Sequence, residues 1–556
     1  MKPNDRVENW HKARQYTPEQ LERAKTVLEE VRAGIRLDRA LRANPMPDGA
    51  LIAKHILVAA YRELVAEGEW VEDPAFMARI RMKPVRTLSG VTTVTVLTKA
   101  APCPGECIFC PSEEQMPKSY LADEPGAARA YQNRFDPFDQ VNSRLREYEA
   151  VGHPNDKIEL LVLGGSWSCY PRAYQEWFIR RCFHAMNADS TPPGEEPFNI
   201  AEPAAGAHLQ SDLSELKKAH SRNESALHRN VGLVIETRPD DIDRDELVWL
   251  RQLGVTKLQM GAQSLDDRIL ALNRRGHSAA DTLRAVTLLR AAGFKIVLHW
   301  MPNLLGATLE SDREDFARLW DEGYAPDEIK IYPTQLLESA ELYRYWQRGE
   351  YTPYTTDQLI ALLADIKPLI PPYCRVNRII RDIPSFHVVE GNRRTSLRQD
   401  VQRELQRRGS ACRCIRCREV KGQTIESDKL AFSDLVYRPS ASEEHFLSYT
   451  TPEDRLAGYL RLSFPLPGAP ALAIPELEEA AIIREVHVYG QSLPVGTERV
   501  GAAQHSGLGT SLLDHADLVT RDKGLSRVAV IAAVGTRTYY EKRGFRQQEL
   551  YMVKEL

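Results

Sequence analysis

The segment Cys103-Pro-Gly-Glu-Cys107-Ile-Phe-Cys110 places three cysteines close together, shortly after an apolar, strand-like segment at 91–98. Three thiolates separated by three and two residues can hold three irons of a [4Fe–4S] cluster, which leaves the fourth iron open for a small ligand. Zinc is the alternative metal, because CxxC is also a zinc spacing, but a zinc site would need a fourth protein ligand. The aromatic Phe109 before the last cysteine favours the iron–sulfur interpretation.

Around this segment, from about residue 90 to residue 335, short apolar segments alternate with helical stretches. We predict six strands, at 91–98, 158–163, 231–236, 257–260, 295–300 and 328–331. Strands with helices between them are typical of βα units, so the sequence predicts an α/β fold with either a parallel sheet or a partial barrel, which with six strands would be a partial (β/α)6 barrel. In such folds the functional site lies at the carboxyl ends of the strands.

Glycines and polar residues follow several of these strands. Gly164, Gly165 and Ser166 come directly after the second strand, and Glu236 ends the third strand. A polar cofactor would need such groups, although a Gly-Gly turn alone is weak evidence. Four polar residues in or just after later strands either line the predicted pocket or are ordinary buried groups with hydrogen-bond partners: Gln259, Gln263, His299 and Lys330.

Length and composition constrain the class of protein. A chain of 556 residues that is 43% hydrophobic and 27% charged is typical of a globular protein with two or three domains. We find no apolar run of about 18 residues that could span a membrane, and no secretory signal at the N-terminus. Six of the nine cysteines fall into two tight groups, which indicates metal binding in a reducing compartment and a cytoplasmic protein.

We predict four regions along the chain. The first is a helical N-terminal extension, because apolar residues such as Leu21, Ala24 and Leu28 recur at three- and four-residue spacing. The second is the βα domain, the third is a linker rich in arginine and cysteine, and the fourth is another α/β unit. Their predicted bounds are 1–80, 81–370, 371–425 and 426–556.

The linker is strongly basic. From Arg375 to Arg418 there are twelve arginines, no lysine and four acidic residues, which is a net charge of about +8. Arginine pairs with phosphate through two hydrogen bonds and stacks on bases, so the composition favours a nucleic-acid partner, with a solvated surface as the ordinary alternative. The candidate contacts are Arg375, Arg378, Arg381, Arg393, Arg394, Arg398, Arg407 and Arg408.

The second cysteine group, Cys412, Cys414 and Cys417, lies in the same linker. Three thiolates within six residues suit a structural zinc ion, whose fourth ligand must come from elsewhere. Cys374 and His387 are the candidates, and Cys374 is preferred because an all-thiolate site is closed and structural. Such a zinc ion would hold the linker between the two α/β domains.

The last region contains the sequence QHSGLGT at 504–510, which opens a predicted helix after a predicted strand at 482–489. Glycines let the backbone approach a ligand closely, and the free amides and the dipole of a helix start bind a pyrophosphate. A tyrosine pair, Tyr539 and Tyr540, follows near the end of the chain. The alternative is an ordinary α/β unit with a glycine-rich turn.

Taken in this order, the motifs resemble known families. The CxxxCxxC loop after a first strand resembles the radical S-adenosylmethionine (SAM) superfamily, and the last region resembles the GNAT acetyltransferase fold. With both in one chain, the sequence resembles the catalytic subunit of Elongator in its single-chain prokaryotic form. The most specific stretches are 381–384 (RDIP), 412–420, 485–490 (EVHVYG) and 504–510. The resemblance implies a partial radical SAM barrel fused to a C-terminal GNAT domain.

The resemblance also implies a reaction. SAM radical chemistry would use acetyl-CoA to place a carboxymethyl group on C5 of the wobble uridine of tRNA. The implied cofactors and co-substrates are a [4Fe–4S] cluster, SAM, acetyl-CoA and structural zinc. The expected partners are tRNA, which the N-terminal extension would help to bind, and an electron donor of unknown identity. A homodimer is left open.

The residues that match the family's motifs are assigned roles by the same resemblance. Cys103, Cys107 and Cys110 would bind the cluster, and Gly164, Gly165, Ser166 and Glu236 would contact SAM. Tyr540 would reach the thioester sulfur, and Lys157 would reach the same ligand from the radical SAM domain, so both are expected to be catalytic. The expected acetyl-CoA contacts are Lys157, Glu485, Val486, His487, Val488, Gln504, Gly507, Leu508, Gly509, Thr510 and Tyr540.

Two other functions compete with this one. The protein could be a protein lysine acetyltransferase that keeps a structural Fe–S cluster, but no carboxylate in the last region is identifiable as its general base. The basic linker would also repel a basic protein substrate. The third hypothesis is a tRNA-binding scaffold with relic cofactor sites, against which the intact cysteines and the intact QHSGLGT sequence argue.

Overall fold

The computed structural model describes residues 15–83, 87, 90–101, 103–189, 198, 213–421, 423, 425–489 and 507–556. These residues form an N-terminal group of helices, a parallel sheet with surrounding helices, a linker and a second sheet. Within these ranges, no helix combines the length and the apolar character that crossing a membrane requires.

The N-terminal helices pack around a hydrophobic core of their own. They are α1 Pro18–Arg32, α2 Leu37–Ala43, α3 Lys54–Ala66 and α4 Pro74–Ile80. Helix α1 begins with a capping box, in which the Thr17 and Gln20 side chains each accept the other residue's backbone N–H. Leu28, Leu57 and Phe76 are buried in this core. The apolar spacing that predicted helices therefore corresponds to a buried helix face.

A parallel sheet of seven strands follows, in the order β1-β2-β3-β4-β5-β6-β7. Its strands are β1 Thr92–Leu97, β2 Lys157–Leu163, β3 Arg229–Thr237, β4 Lys257–Gln263, β5 Lys295–Trp300, β6 Glu328–Ile331 and β7 Arg375–Arg378. Because the spatial order equals the chain order, each βα unit adds one strand on the same side, as in a curled half-barrel. The six predicted strands and their parallel arrangement are confirmed.

The seventh strand corrects the predicted six-stranded barrel. β7 pairs with β6 in parallel, with Arg375 opposite Glu328 and Val376 opposite Ile329. Val376 is its single apolar residue, which is too weak a pattern to predict a strand from sequence. Since β7 completes the half-barrel, the segment predicted as linker begins inside the βα domain.

Helices cover the outside of the half-barrel and continue into the linker. Around the barrel they are α5 Pro125–Gln132, α6 Pro137–Ala150, α7 Arg172–Met186, α8 Ser214–Asn223, α9 Arg244–Gln252, α10 Asp267–Leu272, α11 Ala279–Ala291, α12 Leu309–Asp321, α13 Leu342–Gln347 and α14 Thr356–Ile366. The linker contains α15 Leu397–Arg407 and α16 Ile415–Arg418. One continuous core joins the barrel strands to most of these helices, whereas buried residues of α5, α10 and α13 belong to smaller separate clusters.

The last region forms a second seven-stranded sheet, in the order β13-β14-β12-β11-β10-β9-β8. Its elements are β8 Ala431–Tyr437, β9 Ser442–Thr450, β10 Leu456–Pro465, β11 Ala480–Val488, α17 Leu508–Asp522, β12 Arg527–Val530, α18 Arg537–Glu541, β13 Arg546–Gln547 and β14 Met552–Glu555. β11 and β12 pair in parallel, and the other neighbouring strands pair in antiparallel fashion.

The second sheet packs against the amino ends of the parallel strands through buried ion pairs. Asp327, directly before β6, bonds Arg484 of β11 (Nη1–Oδ1 3.0 Å) and lies 3.3 Å from Arg461 of β10. The Arg484 and Asp327 side chains are both fully buried. Because a buried charge without its partner costs several kcal/mol, about 3 to 5, these pairs fix how the two sheets sit on each other.

Candidate active site

One cavity of ≈ 1250 Å³ extends through the inside of the half-barrel to the second sheet. At the carboxyl ends of the strands its wall includes Phe109, Cys110, Met301 and Tyr332, and along the strands Gln259, Gln263, His299 and Lys330. At the amino ends and beyond, its wall includes Lys257, Lys295, Glu328, Glu485, Val486, His487 and Tyr540. The four polar residues predicted as pocket-lining all line this cavity, and the two domains share it.

The first cysteine group lies on the loop after β1 and is held in place by backbone hydrogen bonds. The Ile108 N–H donates to the Asn273 carbonyl (3.3 Å), and the Leu342 N–H donates to the Ile108 carbonyl (2.8 Å). A Cβ on Gly105 would lie 3.6 Å from the Sγ atoms of both Cys103 and Cys107. The loop therefore wraps around a glycine, with the sulfur atoms of Cys103 and Cys107 both close to it.

Arginine side chains surround this loop. Arg275 contacts the Cys107 Sγ (Nη1–Sγ 3.5 Å) and donates to the Gly261 carbonyl (2.7 Å). The contact with Cys110 and then the Arg275 guanidinium lower the pKa of the Cys107 thiol to about 5, although burial opposes this. A Cβ on Gly105 would meet Arg238 Nη1 at 2.7 Å. Three thiols, one of them favoured as thiolate, fit an iron–sulfur cluster. The contact of Arg275 was not predicted, because the only indication in the sequence was a basic turn before Gly276.

The glycines after β2 adopt backbone conformations that favour glycine, with φ of +128° at Gly164 and +107° at Gly165. A Cβ on Gly164 would overlap the Thr98 hydroxyl, whereas the space at Gly165 is open. Ser166 is different, because its hydroxyl donates to Asp241 (Oγ–Oδ2 2.7 Å). Backbone access to a ligand is therefore present at Gly165, while the Ser166 side chain is bonded within the protein.

The polar residues in the middle of the cavity form one hydrogen-bonded group. Gln259 Oε1 contacts His299 Nε2 (3.1 Å) and accepts from Lys330 Nζ. Glu236 faces the other ring nitrogen of His299 (Oε1–Nδ1 3.9 Å) and lines the cavity. Burial and then Lys330 hold the pKa of His299 well below its ordinary value, and burial lowers the pKa of Lys330 to about 8. His299 is therefore neutral at pH 7.

At the amino ends of the strands, Glu485 belongs to a network of ion pairs. Its carboxylate contacts Lys295, accepts from Tyr459 (2.8 Å) and pairs with Arg461 (3.0 Å). Burial alone would raise the pKa of Glu485, but Lys295 and Arg461 lower it to about 2. The side chain is thus occupied within the protein, and only the backbone of this residue is available to a ligand.

The backbone of residues 485–488 borders an opening between two strands. β11 pairs with β10 as far as Val488 but with β12 only from Ala480 to Ile483. On the β12 side, residues 485–488 have no strand partner in the described part of the chain. Val486 and His487 line the cavity there, and Val486 and Val488 also pack against the core of the second sheet. An extended ligand could therefore pair with this strand edge.

Helix α17 begins beside that opening. Gly507 caps it with a φ of +75°, and the amides of Leu508, Gly509 and Thr510 precede the first intrahelical N–H bond, so they have no partner among the described residues and could bind a ligand. A Cβ on Gly509 would meet the Tyr539 hydroxyl at 2.7 Å. The Thr510 hydroxyl accepts from Arg543 (3.1 Å). Gln504, a predicted contact, lies outside the described residues.

Tyr540 and Lys157, the predicted catalytic residues, occupy different surroundings. Tyr540 is buried in the core of the second sheet and lines the cavity, and burial raises the pKa of its hydroxyl. Lys157 begins β2, opposite Arg229 of β3, and burial lowers the pKa of its ammonium. Lys157 is not among the residues that line the cavity, so the structure does not bring the two side chains to one wall.

The Sγ atoms of Cys412, Cys414 and Cys417 all lie within 4.8 Å of one another, as a single metal ion requires. The fully buried Cys374 is not part of this group, although its carbonyl accepts the Ile415 N–H (2.9 Å). The other candidate fourth ligand, His387, contacts Asp123 instead (3.3 Å). Three thiols fit a zinc ion, and neither predicted fourth ligand joins them in this structure.

The predicted stripe of arginines is divided into two sets. Four of the eight predicted contacts line the cavity: Arg375, Arg378, Arg381 and Arg398. Of these, Arg375 pairs with Glu419 (2.8 Å) and Arg381 with Glu124 (2.8 Å). The other four do not line the cavity: Arg393, Arg394, Arg407 and Arg408. The segment is therefore not one continuous solvated face, because its first part lies inside the barrel.

Two family models match the chain. The model described as the radical SAM superfamily matches residues 101–319, and the one described as the radical SAM C-terminal domain matches residues 326–407. The first begins just before the cysteine loop and covers strands β2 to β5. The second covers β6, β7 and most of the arginine-rich segment.

Several curated proteins are similar along most of the chain. A tRNA uridine(34) acetyltransferase of Dehalococcoides mccartyi is 40% identical over 478 residues, which is 85% of this chain and 99% of the relative. One from Methanocaldococcus infernus is 36% identical, covering 86% and 88%. Elongator complex protein 3 of Homo sapiens is 34% identical, covering 86% and 87%. The solved structure of M. infernus Elp3 without its N-terminus superimposes with a TM-score of 0.69 at 32% identity, covering 84% of this chain and 100% of that one.

Proposed function

The chain belongs to the family of the tRNA uridine(34) acetyltransferases and Elongator complex protein 3, and we propose that it places a carboxymethyl group on C5 of the wobble uridine of tRNA. In this proposal acetyl-CoA supplies the two-carbon unit and SAM radical chemistry activates it. The last region acts as a GNAT domain, and zinc is structural. The relatives named tRNA uridine(34) acetyltransferase support the substrate class. The cysteine loop and the cavity shared by the two domains support radical chemistry on a bound acyl group.

The observation that carries the proposal is the cavity shared by the two domains. It reaches Cys110 at the carboxyl ends of the barrel strands and Val486 and Tyr540 in the second sheet. A reaction that joins a radical step in one domain to a thioester held by the other needs such a connection. A protein acetyltransferase would need only the second sheet and an outward-facing opening.

Cys103, Cys107 and Cys110 would hold the cluster, and the backbone at Gly164 and Gly165 would contact SAM. When bound and supplied with an electron by a reductant, the cluster and SAM would provide the radical chemistry that removes a hydrogen atom from the acetyl methyl group. The protein's contribution is placement: the Cys107 loop is fixed by backbone hydrogen bonds, and Arg275 adds positive charge beside its sulfur. Glu236 and the His299–Gln259–Lys330 group then provide polar contacts for SAM or the uracil ring.

Acetyl-CoA would lie in the opening between β11 and β12. The unpaired edge at 485–488 supports backbone pairing with the pantetheine arm, and the free amides at 508–510 support pyrophosphate binding. Tyr540 stays protonated because burial raises its pKa, so it suits donation of a hydrogen bond or proton to the thioester sulfur. Lys157 would attract the negatively charged ligand from the barrel side.

The test is anaerobic turnover. The protein is reconstituted with iron and sulfide and mixed with SAM, dithionite, acetyl-CoA and tRNA, and the nucleosides are analysed by mass spectrometry. We expect 5-carboxymethyluridine and 5′-deoxyadenosine, both lost in Cys107→Ala, and loss of the modified nucleoside in Tyr540→Phe. Acetylation of a protein substrate without 5′-deoxyadenosine would overturn the proposal in favour of a protein acetyltransferase.

A further inference from the structure

Two arginines of the basic segment have surroundings unlike those of the others. Nine of the twelve arginines from Arg375 to Arg418 have a carboxylate oxygen within 4.0 Å. In the described part of the chain, no carboxylate lies that close to Arg393, Arg398 or Arg416. Arg393 is exposed, whereas Arg398 and Arg416 are half-buried and line the cavity.

Both side chains are anchored on the same strand. Arg398, in the first turn of α15, donates to the Val376 carbonyl (Nη2–O 3.2 Å), and Arg416 of α16 donates to the Asn377 carbonyl (Nη1–O 3.3 Å). These carbonyls belong to consecutive residues of β7, and the charge of Arg416 acts on Arg398, so the two guanidinium groups are near each other. A guanidinium has five N–H donors, and each of these two uses one within the described part of the chain, so most of their donors have no partner there.

The pair carries an excess of positive charge. Burial and then the proximity of Arg416 lower the pKa of Arg398 to about 10. Glu419, a carboxylate on this wall, is already paired with Arg375 (2.8 Å), and exposed Lys421 adds a further cation to the cavity wall. Neither guanidinium forms an ion pair with a described carboxylate, although the thiols of Cys414 and Cys417 lie near both. Two adjacent like charges repel each other, and an anion placed between them would reduce that repulsion.

The neighbouring thiols offer another reason for the two arginines, because Arg416 lies between Cys414 and Cys417 in sequence and zinc-bound thiolates are negative. Their hydrogen bonds differ from those at the first cysteine group, where Arg275 contacts the Cys107 sulfur at 3.5 Å. In the described residues, Arg398 and Arg416 donate to carbonyl oxygens and not to sulfur. Their free donors are thus available to a ligand in the cavity.

We propose that Arg398 and Arg416 form a binding site for a phosphate group at the wall of the shared cavity. A planar guanidinium group can bind a phosphate through a pair of N–H···O bonds, which a lysine cannot do, and the two arginines could bind the same phosphate. The inference rests on the proposed function for its two candidate ligands, since both an RNA backbone and coenzyme A carry phosphate.

The experiment measures ligand binding by the zinc-loaded, cluster-containing protein without turnover. Fluorescence anisotropy with an anticodon stem-loop RNA is recorded over a range of salt concentrations, and coenzyme A and dephospho-coenzyme A are titrated in parallel. We expect the double variant Arg398→Gln/Arg416→Gln to weaken one ligand about 10- to 100-fold. If that ligand is RNA, the slope of log affinity against log salt falls by about 1. If it is coenzyme A, only the form with the 3′-phosphate is affected.

Arg403→Gln is the matched control, because it removes the same charge from an exposed side chain of α15 that pairs with Asp400, does not line the cavity and is not among the predicted RNA contacts. We expect its affinities to stay within about twofold of the starting protein. Arg398→Lys should restore part of the loss in the single variant Arg398→Gln. Zinc content and melting temperature are measured for every variant.

Unchanged affinity for both ligands in a zinc-loaded double variant would overturn the site while leaving the proposed function intact. Loss of zinc together with loss of binding would also overturn it, because the arginines would then serve the thiolates. Absence of RNA binding by the unaltered protein would contradict the proposed function itself. The two failures are therefore distinguishable.

Discussion

The two cysteine groups differ in how closely their sulfur atoms approach one another. Cys412, Cys414 and Cys417 bring their Sγ atoms within 4.8 Å of one another, whereas Cys103, Cys107 and Cys110 do not all come that close. The first group has the Cys103 and Cys107 sulfur atoms beside Gly105 and reaches the cavity at Cys110; the second is beside β7, outside the cavity lining. A single zinc ion needs convergent ligands, while a cluster of four irons needs room between them. The difference fits the proposed roles, an iron–sulfur cluster at the first group and a structural zinc ion at the second.

Of the substitutions that test this difference between the two groups, Cys107→Ala should have the largest effect on iron binding and activity. Removing one of three cluster ligands is expected to reduce bound iron from roughly four atoms per chain to a small remaining fraction. It should also abolish the formation of 5′-deoxyadenosine and modified uridine. Zinc content should not change, because the second group is separate. Iron and zinc are measured by mass spectrometry after anaerobic reconstitution.

The matched control is Cys182→Ala, which removes a fully buried thiol packed in the barrel core, remote from any thiol group. It should keep its iron and its activity. Full iron binding by Cys107→Ala, or loss of zinc from it, would contradict the separation of the two groups.

Cys414→Ser should have the next largest effect, on stability and not on chemistry. Cys414 is fully buried, and its carbonyl accepts the N–H groups of Cys417 (3.0 Å) and Arg418 (3.2 Å). Loss of zinc should lower the free energy of unfolding by about 3 kcal/mol or more, because the ion holds this turn against β7. Thermal unfolding and zinc content check this, and iron loss that accompanies zinc loss would show that the two groups depend on each other.

The sequence predicted the strongly apolar parts of both sheets and missed the polar ones. The strands of the half-barrel with continuous apolar runs, such as Lys295–Trp300, were predicted correctly. β7 was missed because only Val376 is apolar, and β8 was missed because its apolar residues Phe432, Leu435 and Val436 are exposed. Neither strand has the alternation that marks one buried face.

The cysteine ligands of the site could be predicted from local spacing, but their surroundings could not. Arg275 contacts Cys107 across 168 residues of sequence. Likewise, Arg375 was predicted as an RNA contact, yet it is paired with Glu419. Pairings between distant residues depend on how the barrel closes, and no local pattern encodes them.

Arg275→Gln should produce a smaller, graded effect that distinguishes the two groups. A positive charge and an N–H donor beside a cluster sulfur favour the reduced state, so their removal should make the reduction potential more negative. We expect a shift on the order of 60 mV, a tenfold change in the one-electron equilibrium. Redox titration followed by electron paramagnetic resonance measures it.

Arg274→Gln is the control, because the adjacent arginine is exposed and pairs with Glu341 (3.1 Å). Its potential should stay within about 10 mV of the starting protein. An equal shift in both variants would mean that general surface charge, and not the contact with Cys107, sets the potential.

Cys374→Ser should have the smallest effect, and it tests how many protein ligands the second group supplies. Sequence reasoning prefers Cys374 as the fourth ligand, but its sulfur lies outside the group of three, and its carbonyl supports the group by accepting the Ile415 N–H. Because serine retains that backbone contact, zinc content should not change, and the free energy of unfolding should fall by about 1 kcal/mol or less. Cobalt substitution sharpens the test: the charge-transfer band of a three-thiolate site should be the same before and after the change. Loss of metal, or a weaker band, would instead establish that Cys374 moves to the ion when it binds, which would make the second group a closed four-thiolate site and deepen its contrast with the open first group.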